Sequence, residues 1–230
     1  MVELGVLASI PGTVEQETTY GNRFWHGQLA TATGAPIRVQ IDATVERRAH
    51  RIEPAAGPWL DQAERDAHRR FLEPNRRVAV GHEVLEPILA EVRAARASSG
   101  PSDTARAIYD WVVDHVEYKK VGTGWGNGDT FWACSERYGN CTDFHALFTS
   151  LARTEGIPAR FEIGFPIPED RERGDIGGYH CWVQFYLPGS GWIPIDASEA
   201  FKHPERREQL YGGHPADRIH LTTGRDLQLG

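Results

Sequence analysis

The chain has 230 residues, with 25 Lys or Arg against 32 Asp or Glu, so its formal net charge is −7. A protein that coats nucleic acid or binds an anionic membrane needs a surplus of basic residues, which this composition excludes. The sequence also lacks a run of about 18 or more apolar residues, so no membrane-spanning helix is predicted. We therefore expect neither a nucleic-acid partner nor membrane insertion.

The N-terminal sequence MVELGVLASIPG is not typical of a secretory signal. It has no basic region, and its apolar stretch is short and interrupted. These features predict a cytoplasmic protein. An extracytoplasmic location is the alternative, for a natural chain that begins upstream of Met1.

The first half of the chain predicts strands and then helices. Residues 1–57 form a β-rich N-terminal segment, and residues 58–230 form the larger core with a C-terminal tail. Residues 37–45 alternate apolar and polar side chains, which is typical of a half-buried strand. Amphipathic helices are predicted over residues 59–72 and 82–97.

The second half predicts helices followed by strands. A helix over residues 104–118 is capped by Ser102 or Asp103, and another helix begins near Cys141. Three strands then follow, separated by turn-rich loops: residues 159–165, 180–187 and 191–196. Helices that precede a run of strands indicate an α+β fold with helices packed on an antiparallel β-sheet, because a doubly wound fold would alternate them.

Cys141 lies where a helix is predicted to begin. The positive end of the helix dipole and the unpaired backbone N–H groups favour a thiolate there, and the thiolate is the nucleophilic form of cysteine. The other two cysteines are Cys134 and Cys181, so the odd number leaves at least one thiol unpaired. A small buried cysteine is the alternative interpretation of Cys141.

A nucleophilic thiolate needs a base and a group that orients the base. His180 opens one predicted strand, Asp196 ends the next, and the turn LPGSG joins them. In a hairpin the two residues would be opposite or diagonal, within side-chain reach. Asp196 could then hold one ring nitrogen of His180 while the other meets Cys141. Taken singly, His180 could be an edge-of-sheet histidine and Asp196 a strand-end cap.

The stretch over residues 102–202 that carries these residues resembles the transglutaminase-like superfamily. The similar segments are AIYDWV, GWGNGDT, GNCTDFHALFTSLARTEGIPARFEIGFPIP, GYHCWVQFY and GWIPIDASEA. The resemblance implies a papain-like core in which Cys141 is the nucleophile, His180 the base and Asp196 the orienting carboxylate.

The same resemblance implies acyl transfer at an amide bond of a peptide or protein substrate. Cys141 would form a thioester, which water or an amine would then release, as in a cysteine protease, an amidase or a transglutaminase. The alternative is a non-catalytic protein- or glycan-binding module that retains the fold. The full set of Cys141, His180 and Asp196 argues against it, since binding alone does not need all three.

Acyl transfer also needs donors for the developing oxyanion. The backbone N–H of Cys141 is one candidate, because it lies at the start of a helix. Trp125, Trp132 and Tyr118 precede Cys141 and each carries one side-chain donor. The alternative for each is a hydrophobic residue of the core or the cleft wall.

No cofactor or metal is predicted. Cys134, Cys141, His145 and Cys181 could be imagined as zinc ligands, but their spacing lacks the paired C-x-x-C pattern. Strand alternation also points Cys181 away from His180. We therefore expect Cys134 and Cys181 to be buried packing residues, or a disulfide pair in an exported protein.

Overall fold

The computed structural model describes residues 2–31, 34, 36–168, 170 and 172–229, with side chains from residue 5 onward. Its helices are α1 (Gln62–Ala67), α2 (Glu86–Ala95), α3 (Pro101–His115), α4 (Thr130–Glu136), α5 (Cys141–Thr154) and α6 (Ala197–Lys202). Its strands are β1 (Val2–Ala8), β2 (Gly12–Gln16), β3 (Arg23–Gly27), β4 (Val39–Val45), β5 (His50–Arg51), β6 (Glu117–Tyr118), β7 (Tyr138–Gly139), β8 (Ala159–Pro166), β9 (His180–Leu187), β10 (Gly191–Ile195), β11 (Gly213–His214) and β12 (Arg218–Thr223).

A four-stranded antiparallel sheet in the order β10-β9-β8-β12 forms the centre of the second half. In this sheet Gly164 of β8 faces His180 of β9, and Ile195 of β10 faces Val183 of β9. The strands β8, β9 and β10 lie where the sequence predicts them, and the α+β fold is confirmed. The edge strand β12 is the one that no sequence pattern predicts.

Helix α5 packs against the sheet and is surrounded by other helices. It contacts α3, α4 and α6 as well as β8 and β9, and every residue from Cys141 to Arg153 is buried. The sequence predicts a single apolar stripe for this helix, but neighbours on several sides cover its polar faces too. The polar residues on those faces must therefore find hydrogen-bond partners inside the protein.

The predicted helix over residues 59–72 is shorter in the structure. It begins after Asp61, whose carboxylate accepts a hydrogen bond from the Glu64 N–H at 2.9 Å, and it ends at Ala67. A 3₁₀ turn over Arg69–Phe71 follows. The helix predicted over residues 82–97 similarly divides into a 3₁₀ turn at Glu83–Leu85 and α2.

Helix α3 begins earlier than its polar residues predict. Gly100 is the N-cap and Pro101 is the first helical residue, so the caps predicted at Ser102 and Asp103 are wrong. Proline is favoured at the first helical position because the N–H that it lacks would have no intrahelical acceptor there. The helix ends at His115, before the predicted end at residue 118.

The strand predicted at residues 37–45 is present as β4, but it is not half-buried. It pairs only with β1 in a two-stranded sheet, and the Ile41 side chain remains 57% exposed. The alternating sequence pattern therefore produces a strand here without a buried face, because a two-stranded ribbon offers little surface to pack against.

The other N-terminal strands are also short pairs, β2 with β3, and β5 with the C-terminal strand β11. The division of the chain after residue 57 stays a prediction. Within the described part of the chain, no helix has both the length and the apolar character needed to cross a membrane.

Candidate active site

Cys141 is the first residue of α5, and the residues around it hold the helix terminus in place. The Asn140 side chain accepts a hydrogen bond from the Thr142 N–H at 2.8 Å, while the Asp143 carboxylate accepts one from the Asn140 N–H at 2.9 Å. This reciprocal arrangement is a capping box. The Cys141 sulfur therefore lies at the positive end of the α5 dipole.

The Asp143 carboxylate also anchors the glycine-rich loop in front of the site. It accepts hydrogen bonds from the backbone N–H groups of Gly126 at 2.6 Å and Gly128 at 3.0 Å. A glycine is needed at position 139, because a Cβ there would lie 2.1 Å from the Asp143 carboxylate. These loop contacts depend on the tertiary fold, because the two glycines are 17 and 15 residues away from Asp143 in sequence.

His180 and Asp196 form the contact that the hairpin predicts. His180 Nε2 and Asp196 Oδ2 are 2.6 Å apart, and both side chains are buried. The alternative role of Asp196 is present as well: its Oδ1 accepts from the Glu199 N–H and the Ser198 hydroxyl, both at 3.0 Å. Asp196 thus caps α6 with one oxygen and holds His180 with the other, so the helix and the imidazole fix its orientation together.

Asp196 occupies Nε2 of His180, which leaves Nδ1 for another partner, and the mutual pKa shifts of His180 and Cys141 indicate that this partner is the Cys141 sulfur. Burial alone would lower the pKa of His180, but the charge and hydrogen bond of Asp196, aided by Cys141, raise it to about 9. Burial likewise opposes the Asp196 charge, yet His180 and the guanidinium of Arg218 hold the pKa of Asp196 well below its usual range.

The pKa of Cys141 is lowered to about 4. The largest contribution comes from the neighbouring Cys181 thiol, and the imidazole of His180 acts in the same direction against the cost of burial. Cys141 and His180 therefore form a thiolate–imidazolium pair between about pH 4 and pH 9. A thiolate of this kind is a ready nucleophile.

The contact of Cys181 with Cys141 contradicts the expectation that Cys181 is only a packing residue. The side chain does point away from His180, as alternation predicts, but this direction leads to α5. There Cys141, Cys181 and Phe161 form one small buried cluster. Cys134 and Cys181, for which a disulfide is the alternative in an exported protein, are both free thiols, and Cys134 is only partly buried.

The three predicted side-chain donors for the oxyanion differ in availability. The Trp125 indole donates to the carbonyl of Gly122 at 3.2 Å, and the Trp132 indole donates to that of Tyr138 at 3.1 Å. Neither indole is free to bind an oxyanion, because each has a single N–H.

Tyr118 is the candidate that lies beside Cys141. Its ring packs against the cluster that contains Cys141 and Cys181. Burial, followed by the negative charge of Cys141, raises the pKa of the Tyr118 phenol, which therefore keeps its proton and can donate. Sequence reasoning names Tyr118 without favouring it, since its position follows from the short parallel pair of β6 with β7.

Tyr179 is a residue at the site that sequence reasoning does not identify. Its hydroxyl lies 3.0 Å from Thr142 Oγ1 and 3.3 Å from the Asn140 side-chain amide, on both sides of Cys141 in sequence. The Tyr179 side chain is 46% exposed, so it connects the buried residues around Cys141 to the protein surface. Its position directly before His180 is the only sequence signal.

The zinc interpretation finds no support in the described residues, which contain no group of three or more His, Cys, Asp or Glu side chains placed to hold a metal ion. Cys134, one of the four imagined ligands, packs instead against the main hydrophobic core. The other three lie close together: Cys181 shares a buried cluster with Cys141, and its sulfur is 3.6 Å from His145 Nδ1.

Residues 90–197, which include all three predicted catalytic residues, match the family model of the transglutaminase-like superfamily. An uncharacterised protein of Haemophilus influenzae is 31% identical over 123 residues, which are 45% of this chain and 33% of that protein. The uncharacterised protein YebA of Bacillus subtilis is 31% identical over 77 residues, 30% of this chain and 10% of that protein. The chain thus spans about a third of the length of the first relative and a tenth of the second.

Among solved structures, one described as a "Putative Cysteine Protease" from Cytophaga hutchinsonii is similar over 97% of this chain and 70% of that chain. Its TM-score is 0.56 and its sequence identity is 22%. At this identity the similarity concerns the fold and not the activity. The family match and the shared fold agree with each other: residues 90–197 are similar to the transglutaminase-like superfamily, and the fold is that of a transglutaminase-like protein.

Proposed function

We propose that this protein catalyses acyl transfer at an amide bond of a peptide or protein substrate, through a thioester on Cys141. The observation that carries the proposal is the buried set of Cys141, His180 and Asp196, in which His180 Nε2 lies 2.6 Å from Asp196 Oδ2 and His180 lowers the pKa of Cys141. These three side chains supply a nucleophile, a base and an orienting group in the order that acyl transfer requires.

In the first step the Cys141 thiolate attacks the carbonyl carbon of the substrate amide, and the carbonyl oxygen takes the negative charge. The backbone N–H of Cys141 has no intrahelical acceptor, because it belongs to the first turn of α5. This N–H and the Tyr118 hydroxyl are the donors that we assign to the oxyanion. When the tetrahedral intermediate collapses, His180 gives its proton to the departing amine and the thioester remains.

In the second step the neutral His180 takes a proton from water or from an incoming amine, which attacks the thioester carbon. Collapse of this intermediate releases the Cys141 thiolate and leaves His180 protonated, so the resting ion pair is restored. Water yields a carboxylic acid and an amine yields a new amide. Asp196 keeps Nε2 of His180 protonated, which leaves Nδ1 to exchange the proton with the reacting groups.

A non-catalytic binding module would not account for this arrangement. Burying the Cys141 thiolate and the His180 imidazolium costs free energy that their mutual attraction must offset, and a binding surface gains nothing from them. Perturbed pKa values of this kind gather at functional sites. The peptide substrate is supported by the shared fold with the Cytophaga hutchinsonii protein and is part of the proposal.

The proposal is tested by trapping the acyl-enzyme from a peptide library and locating the adduct by mass spectrometry. We expect the adduct on Cys141, and Cys141→Ala should reduce turnover by about 10⁴-fold or more. Cys134→Ala is the matched control, since Cys134 lies away from the site and should be dispensable. Adducts on Cys134, or turnover that survives Cys141→Ala, would contradict the proposal.

A further inference from the structure

His145 and Cys181 form a buried polar pair beside the nucleophile that the mechanism above does not use. His145 lies one helical turn after Cys141 on α5, and Cys181 follows His180 on β9. The sulfur of Cys181 is 3.6 Å from His145 Nδ1, and neither residue is exposed to solvent. Two polar side chains in such a position need hydrogen-bond partners of matching polarity.

The backbone around His145 decides which ring nitrogen carries the proton. The Ala197 N–H donates to His145 Nε2 at 3.2 Å, so this nitrogen has to be an acceptor. Complete burial lowers the pKa of His145, and the ring is therefore neutral. A neutral imidazole with an accepting Nε2 has its proton on Nδ1. The Nδ1–H is consequently the ring's donor, and it is shared between the backbone carbonyl of Cys141 and the Cys181 sulfur 3.6 Å away.

If the Cys181 sulfur accepts a hydrogen bond from His145, its own S–H group must donate to a different acceptor. Two acceptors are within reach, the Thr142 hydroxyl at 3.9 Å and the Cys141 sulfur in the same small cluster. The Thr142 hydroxyl is distant and is already engaged with Tyr179 at 3.0 Å. A thiolate is the stronger acceptor, because hydrogen bonds to ionised groups are stronger than neutral ones.

We propose that Cys181 is a positioning residue for the nucleophile: its thiol donates to the Cys141 thiolate, and His145 sets the direction of that donation by donating to the Cys181 sulfur. The inference rests on the proposed function, in which Cys141 is the nucleophile. In chemical terms, the ordered chain runs from the Ala197 N–H through His145 and Cys181 to Cys141. Each donor in it points toward the negative charge.

Several other charged or titratable groups surround the two sulfurs and bear on any pH profile. They come from every element packed against the site: Asp143 and His145 on α5, His180 on β9, Asp196 after β10, Tyr118 on β6 and Arg225 from the C-terminal segment. Substituting Cys181 leaves all of them in place. A change in the profile of such a variant therefore reports the loss of the thiol donor.

The test is the pH dependence of Cys141 alkylation by iodoacetamide, followed on the Cys141 peptide by mass spectrometry. The wild-type midpoint is expected near pH 4. Cys181→Ala should raise it by about one pH unit, because the thiolate loses one charge-assisted hydrogen bond. Cys181→Ser retains a donor and should stay close to the wild-type midpoint. Cys134→Ala, the matched control, should leave the midpoint unchanged.

Either of two results overturns the inference: an unchanged midpoint in Cys181→Ala, or an equal shift in Cys181→Ser, which would indicate a loss of packing. If Cys181→Ala does not fold, the infrared S–H stretching frequency of Cys181 is compared instead between the wild type and Cys141→Ala. That band should move to higher frequency in Cys141→Ala, and an unmoved band overturns the inference. Acyl-enzyme formation on Cys141 is measured separately, so the proposed function can survive the failure of this inference.

Discussion

Strands β4 and β9 have regular apolar patterns in sequence and opposite environments in the structure. β4 pairs only with β1, and six of its seven residues are exposed. β9 lies between β8 and β10 with α5 packed against it, and six of its eight residues are buried. The difference shows that a strand pattern predicts local conformation, whereas burial depends on how many layers meet it.

The same contrast applies to polar groups. The polar residues of β4, such as Gln40 and Asp42, bond to each other at an exposed face. Those near β9 are buried and coupled, so that His180, Asp196 and Cys141 each alter the pKa of another. Low local polarity strengthens such coupling and makes a missing partner costly. Substitutions in the two regions should therefore differ sharply in effect.

The largest effect is expected from Asp196→Asn. The substitution removes the negative charge of Asp196, which raises the pKa of His180 to about 9. It also removes the acceptor that keeps the His180 proton on Nε2. Turnover should fall by about 10³–10⁴-fold. In the wild type, turnover should rise through pH 4 and decline above pH 9 as His180 loses its proton. In the variant, the alkaline limb should move down toward the ordinary histidine range near pH 6.5.

The control for that variant is Asp217→Asn. Asp217 contacts the same guanidinium of Arg218 at 2.7 Å but does not contact His180. The alkaline limb of the pH–rate profile of Asp217→Asn should stay at the wild-type position. Equal movement of the limb in both variants would mean that general electrostatics, and not the Asp196 contact, controls His180.

The next largest effect is expected from Phe148→Ala, on stability. Phe148 on α5 is fully buried, and its ring lies tilted against that of Phe185 on β9, with ring centroids 6.0 Å apart. The free energy of unfolding should fall by about 3–5 kcal/mol, measured by chemical denaturation. Phe131→Ala, on the exposed side of α4, should change it by about 0.5 kcal/mol or less. A similar decrease in the free energy of unfolding for both variants would contradict the expected difference between buried and exposed positions.

A smaller effect on stability is expected from Asp143→Asn. The Asp143 carboxylate accepts three backbone N–H bonds, and an amide would turn a donor toward at least one of them. The free energy of unfolding should decrease by about 1–3 kcal/mol. Asp42→Asn on exposed β4 is the control and should be nearly neutral. An equally neutral Asp143→Asn would show that the glycine-rich loop does not depend on the carboxylate.

The smallest effect is expected from Ile41→Thr, which sharpens the comparison because the same change can be made in the core. Ile41 on β4 is 57% exposed, so the free energy of unfolding should change by about 0.5 kcal/mol or less. Ile193→Thr on β10 would bury a hydroxyl and should cost about 1–3 kcal/mol. A large loss at Ile41 would reveal that another surface covers β4.

Features that depend on neighbouring residues could be predicted from sequence. The hairpin of β9 and β10 is local, and its turn sets the register that brings His180 to Asp196. The start of α5 at Cys141 follows from the same kind of short-range signal. Long-range contacts could not be predicted. Strand alternation correctly predicts that Cys181 points away from His180. The strand pattern does not show that α5 covers this opposite face of β9.

The two tryptophans were wrongly predicted as oxyanion donors for the same reason. Trp125 and Trp132 have the right chemistry, but their indoles donate to nearby backbone carbonyls once the glycine-rich loop folds. The position of Tyr118 beside Cys141 depends on the parallel pairing of β6 with β7, which joins residues about twenty apart. No periodicity within either short strand carries that information.

By itself, the sequence determined the α+β order of elements, the three core strands and the candidate residues Cys141, His180 and Asp196. These depend on periodicity, capping and turns, which act over a few residues. Only the tertiary structure decided that β4 stays exposed, that β12 completes the sheet and that Cys181 lies in one buried cluster with Cys141. Those outcomes depend on which surfaces meet, and the free energy of burial comes from the whole packed fold and not from any one segment.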